Sequence, residues 1–123
     1  MRIGILGLPQ ANNSPLKETV RLSEEISELG HEPVFINYRR TAIGITEEGR
    51  YLYQYNPDGS ELVPIEIDAV IPRIGRYVNA GTLALRALMH AGIPSTAQPE
   101  AIRVAKDKLH TQLALDAAQI PTP

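Results

Sequence analysis

The sequence of 123 residues has no cysteine. That excludes disulfides, thiolate metal sites and cysteine nucleophiles at once. There is no basic excess: the formal net charge is −2, which argues against a nucleic-acid platform. No apolar run approaches the length of a membrane span, and no charged-then-apolar leader opens the chain. A cytoplasmic protein that binds neither nucleic acid nor membrane is therefore expected. The three histidines, His31, His90 and His110, lack the i, i+4 spacing of paired ligands on one helix, so no metal site is assigned. Repeats and low-complexity segments are also lacking. What remains is ordinary globular composition, 43% hydrophobic and 21% charged, in one domain spanning residues 1–123.

The chain is organised around residues 66–76, EIDAVIPRIGR. Ile67, Ala69, Val70 and Ile71 form a short apolar run without helical period, the pattern of a strand buried on both faces of a sheet. Pro72 has no N–H to donate and ends the ladder. Arg73, Gly75 and Arg76 then fall where the strand meets its loop, the end of an open α/β sheet at which ligands bind. A glycine admits close approach and guanidinium forks pair with anions. Arg73, Gly75 and Arg76 are thus candidate substrate-binding residues. The plainer alternative is two solvated arginines.

The first strand is expected at residues 2–8, central in a parallel sheet because it starts the chain. Its glycines, Gly4 and Gly7, do not make the dinucleotide fingerprint, because residues 9–13 separate them from any helix. Ser14 as N-cap and Pro15 at the first position predict a helix. Leu16, Val20, Leu22, Ile26 and Leu29 are its expected apolar stripe, and Gly30 its end. Residues 32–37 return as a second strand, completing a right-handed βαβ unit. Residues 38–64 break the alternation as short antiparallel strands with tight turns at residues 47–49 and 56–59. Tyr51, Tyr53 and Tyr55 share one face by period two, either a half-buried sheet face or a homo-oligomer contact. Further on, residues 78–91 predict a helix closed by Gly92, residues 93–97 a terminal strand, and residues 99–104 a helical stretch. A last helix is expected at residues 107–119, lined by Leu109, Leu113 and Ala117, before an extended exit at residues 120–123. The whole reads as a three-layer, Rossmann-like α/β fold with a mainly parallel sheet of about four strands and a small β-hairpin excursion.

Two stretches carry a family resemblance. DAVIPRIG at residues 68–75 resembles the signature at the same place in RimK-family ATP-grasp ligases, which add glutamate to a protein or small-molecule acceptor. AKDKL at residues 105–109, followed by a helix and IPTP at 120–123, is similar to the segment leaving the first domain in RimK-like and D-alanine ligase-like enzymes. The resemblance implies a pre-ATP-grasp domain, the first of three regions, whose partner is the ATP-grasp core of the same protein. It implies ATP and Mg²⁺ as cofactors of the intact enzyme, with Lys108 at the nucleotide phosphates. It implies a glutamate-like amino acid and a carboxylate acceptor as substrates, and a chain that is inactive by itself. The competing reading is a stand-alone flavodoxin-like small-molecule binding module or protein-interaction module. A receiver-type phosphorylation site is disfavoured, because GLP at residues 7–9 replaces the acidic residues it needs.

Overall fold

The computed structural model describes residues 1–47, 49–56 and 58–121, with side chains 45, 46 and 49–51 outside the description. In chain order the elements are β1 (Arg2–Gly7), α1 (Lys17–Glu28), β2 (Glu32–Asn37), β3 (Thr41–Thr46), β4 (Gly49–Tyr55) and β5 (Leu62–Pro64). They continue with β6 (Ala69–Pro72), α2 (Val78–His90), α3 (Pro99–Lys106) and α4 (Lys108–Ala117).

As expected, β1 is the central strand of a parallel sheet ordered β2-β1-β6. Ile5 lies opposite Phe35 on one side and Ile71 on the other. Leu6 pairs with Pro72, the last residue of β6. The sheet has three paired strands rather than four. The fourth is reduced to one parallel bridge between Val70 and Ser95, held by the Val70 N–H to the Pro94 carbonyl at 2.9 Å and the Thr96 N–H to the Val70 carbonyl at 3.3 Å. Pro94 has no N–H, and the Ser95 hydroxyl bonds the Ala97 carbonyl at 2.7 Å, so the segment turns away instead of extending the ladder.

Side-chain alternation along β1 separates the layers. Leu6 packs with Ile36, Val70, Leu85 and Leu88 in the main core, while the equally buried Ile5 falls on the opposite face. Helix α1 packs on β2, and α2 packs on β1. The excursion forms a second, antiparallel sheet ordered β3-β4-β5. Leu52 brings it into the main core against α2. The Gln54 amide ties the two sheets, accepting from the Asn37 N–H at 2.8 Å and donating to the Phe35 carbonyl at 3.4 Å. It occupies the outer edge of β2, where a further strand would otherwise pair. Tyr53 is half-buried and Tyr55 is 43% exposed. The Tyr51 side chain, and Glu48 and Pro57 of the two turns, lie outside the described residues, as do Thr122 and Pro123 of the exit.

Several local expectations are corrected. Helix α1 starts at Lys17, with Leu16 in the N-cap position and no side-chain cap. The Ser14 hydroxyl and N–H both go to the Asn12 side chain, at 2.5 and 3.1 Å, an Asx turn that removes Ser14 from capping. The inner face of α1 is Thr19, Leu22, Ser23 and Ile26; Leu16, Val20 and Leu29 are exposed. Those four inner positions keep i, i+3, i+4 and i+7 spacing, and two of them are hydroxyl residues that an apolar count passes over. Helix α3 runs to Lys106, two residues beyond the expected end. On α4, Leu109 and Leu113 are exposed by 65% and 57% instead of lining a buried side. Helix α4 packs along α3.

Candidate functional site

The carboxyl ends of β1 and β6 lie side by side, so the loops that follow them meet. The Arg73 N–H donates to the Leu6 carbonyl at 2.7 Å. A Cβ built on Gly7 would stand 3.4 Å from the Arg73 carbonyl oxygen, in van der Waals contact with the loop after β6. Beside them opens a cleft of about 390 Å³. Gly7, Arg73, Gly75 and Arg76 form one rim, Glu18 and Thr19 of α1 a second, and Ala105 and Lys106 of α3 a third. Its floor includes the buried Leu8, Tyr38 and Ile74.

Loop 73–77 is held from β2. The Tyr38 hydroxyl donates to the Arg76 carbonyl. Tyr38 is only 4% exposed, and burial raises its pKa, so the phenol keeps the proton that it donates. The Arg76 guanidinium reaches the Pro9 carbonyl at 3.5 Å, the outer limit of a hydrogen bond. Tyr77 precedes α2 in the left-handed region at φ 49°, with the Arg39 guanidinium 3.9 Å above its ring centroid. A cation–π contact thus holds a residue whose backbone is unfavourable for a non-glycine. Sequence reasoning singled out neither Tyr38 nor Tyr77. A tyrosine immediately after a buried strand and another immediately before a helix are the available signals.

The candidate residues separate by environment. Arg73, Gly75 and Arg76 share the rim and are all exposed. Arg76 is partly engaged with Pro9, whereas the Arg73 side chain makes no hydrogen bond or ion pair among the described residues. Gly75 has no left-handed φ, and an added Cβ would meet nothing within 4 Å. It leaves open space on the rim, and its backbone does not demand glycine. Lys108 lies outside the cleft, exposed at the first position of α4. The lysine that lines the cleft is Lys106, which sequence reasoning missed because α3 was ended at Val104.

Asp107 caps α4 as its spacing suggested: its side chain accepts from the His110 N–H at 3.0 Å. That bond holds the Asp107 carboxyl below its ordinary pKa, with the nearby His110 a lesser cause. A lowered folded pKa means that the cap's contribution is present above the unfolded carboxylate pKa and is lost as pH falls through the folded value. Asp107→Ala should speed amide exchange at residues 109–111 at neutral pH, while Asp107→Asn, still a good cap, should not. Wild-type protection there, taken relative to the intrinsic exchange rate at each pH, should fall only as pH drops below the usual carboxylate range; equal exchange in both variants would remove Asp107 as the cap.

The family description "RimK PreATP-grasp domain" matches residues 1–102. The chain is 34% identical over 124 residues to a "Probable alpha-L-glutamate ligase 2" from Hahella chejuensis (strain KCTC 2396), covering 100% of this chain and 39% of that protein. It is 35% identical over 125 residues to a "Probable alpha-L-glutamate ligase" from Xanthomonas oryzae pv. oryzae (strain MAFF 311018), with the same coverage. This chain therefore spans about two-fifths of the length of these curated relatives. The family match holds β1, β6 and the loops after them, so the stretch that brings Arg73 and Arg76 to the cleft lies within it. With the parallel sheet and the antiparallel excursion that the sequence predicts both present, and the family match over most of the chain, the chain belongs to the RimK pre-ATP-grasp family.

Proposed function

We propose that the chain is the pre-ATP-grasp domain of an ATP-dependent carboxylate–amine ligase that joins glutamate, or an amino acid like it, to a carboxylate acceptor. The observation that carries this reading is a cationic cleft at the carboxyl edge of the sheet in a chain of this family. Relatives bearing the name of glutamate ligases support it.

In this reading Arg73 and Arg76 hold an anionic substrate group, with Gly75 leaving room for it. Lys108 reaches the ATP phosphates: an ammonium at the start of α4 adds to the positive helix end that already favours phosphate. ATP, when bound, supplies the phosphoryl group that activates the carboxylate. Among the described residues no group of three His, Asp or Glu is placed to hold a metal ion. The reading assigns the magnesium ligands to an ATP-grasp core in the same protein. It makes the protein cytoplasmic.

The test is steady-state kinetics on a longer protein that joins this domain to such a core. ATP-dependent incorporation of glutamate is expected, and its failure overturns the reading. Arg73→Ala should raise KM for the carboxylate substrate by about ten- to hundredfold, the loss of one charge-assisted contact. The melting temperature should stay unchanged; a collapse in melting would make Arg73 structural. Lys108→Ala should raise KM for ATP by a similar factor. The 123-residue chain alone should turn over no ATP and bind it weakly, and micromolar affinity by calorimetry would favour a stand-alone module instead.

A further inference from the structure

One rim of the cleft is held by the turn that joins the two sheets. Residues 38–40 carry the chain from β2 into β3, and the turn is closed on itself. The Arg40 N–H donates to the Asn37 carbonyl at 2.9 Å, the Arg39 N–H to the Asn37 side chain at 3.0 Å, and the Thr41 hydroxyl to the Tyr38 carbonyl at 3.2 Å. Two neighbouring side chains leave this turn for loop 73–77. Tyr38 sits in the main core with Leu52 and Ile74, and its hydroxyl is spent on the Arg76 carbonyl. Arg39 stands over the next residue, Tyr77. What they hold would not stay in place by itself. Tyr77 has φ 49°, a conformation that costs any residue with a Cβ, and the Arg76 guanidinium has only the long contact to the Pro9 carbonyl.

We infer that Tyr38 and Arg39 are positioning residues, which hold the backbone of Arg76 and Tyr77 in the conformation that presents Arg76 to the cleft. Neither is placed to take the ligand itself: Tyr38 is only 4% exposed, and Arg39 is not among the lining residues. They act on the adjacent peptides instead. If both contacts are lost, Tyr77 relaxes out of the left-handed region and turns Arg76 away with it. A ligand that needs Arg76 binds the held loop alone, so its apparent affinity falls with the fraction of molecules in which the loop is held. This rests on the reading of the cleft as an anionic-substrate site, and it gives the junction between the two sheets a part in that site.

The test has two arms. In the 123-residue chain, NMR order parameters of the amides of residues 75–77 should fall in Tyr38→Phe and in Arg39→Ala. Arg39→Lys keeps a cation over the ring and should restore them. Arg40→Ala is the control, because that guanidinium bonds the Asn56 carbonyl instead, and it should change nothing at the loop. In the longer protein, Tyr38→Phe should raise KM for the carboxylate substrate about two- to tenfold, the loss of one neutral hydrogen bond. Arg39→Ala should raise it about two- to fivefold. Both should leave kcat unchanged. In an Arg76→Ala background the Tyr38→Phe effect on KM should vanish, whereas a general loss of folded protein would persist there. Unchanged loop order in both Tyr38→Phe and Arg39→Ala overturns the inference whatever the longer protein does. So does an unchanged KM in an active longer protein, or a Tyr38→Phe effect that survives in full without Arg76. If loop order falls as expected but the longer protein ligates nothing, the proposed function fails and the holding of the loop stands.

Discussion

Leu85→Ala should destabilise the domain by about 2–5 kcal/mol, the range for truncating a fully buried leucine. Leu85 is 0% exposed and packs from the inner face of α2 into the cluster containing Leu6, Ile36 and Val70, one residue from each parallel strand. Those strands are held in register by their ladder, so they collapse little into the space that alanine would leave. The loss then combines the transfer of the missing methyl groups with an unfilled cavity. Urea unfolding should show a much lower midpoint with an unchanged slope. Leu83→Ala on the same helix is the control: Leu83 is 57% exposed, and its truncation should stay within about 0.5 kcal/mol. Similar midpoints for the two variants would mean that α2 is not docked on the sheet by the face described.

The second large effect joins stability to the cleft. Gly81 is buried in α2, and a Cβ there would stand 2.6 Å from Ile74 Cγ2 and 2.9 Å from Cγ1. Those atoms branch from the Ile74 Cβ, so they cannot swing aside as the tip of a long side chain would. Gly81→Val should therefore cost about 3 kcal/mol through overpacking, well above the small gain in helix propensity. Gly81→Ala should cost less, because alanine brings fewer atoms and gains about 1 kcal/mol of propensity over glycine. Ile74 lies between the rim residues Arg73 and Gly75. Displacing it moves the rim, so ligand binding should weaken beyond what the loss of folded protein explains. Ile74→Ala placed in the Gly81→Val background should recover part of the stability, giving a favourable coupling in a double-mutant cycle. Strictly additive effects would show that the two side chains do not compete for the same space.

The periodicities carried much of this architecture. Apolar runs at residues 2–8, 32–37 and 67–71 were legible as buried strands because a strand covered on both faces needs no polar alternation. The order of strand, helix and strand then left little choice of handedness. Gly30 and Gly92 announced two helix ends, and both take positive φ there. The start of α1 was not legible. Ser14 has two ways to use its hydroxyl, and the nearby Asn12 decides between them. The fourth strand was misjudged for a related reason: residues 93–97 have the composition of a short strand, but Pro94 and the Ser95 turn limit its pairing to one bridge.

The candidate site divides along the same line. By itself the sequence determined that Arg73, Gly75 and Arg76 follow a buried strand, and that Asp107 stands where it caps a helix; both depend on neighbours within a few positions. Only the tertiary structure decided which charges share an opening. Glu18, Arg73 and Lys106 are separated by 55 and 33 positions in the chain, and no local pattern relates them. They meet because β1 and β6 are adjacent parallel strands whose carboxyl ends point the same way, while α1 and α3 flank that edge. Whether Lys106 or Lys108 faces the cleft turns on the two residues by which α3 outruns its apparent end. A helix advances about 100° per residue, so the side of the chain on which a lysine emerges depends on where the helix stops. Asp107, extended where it caps α4, makes that stop, and the apolar pattern, which ends at Val104, does not show that α3 continues to meet it.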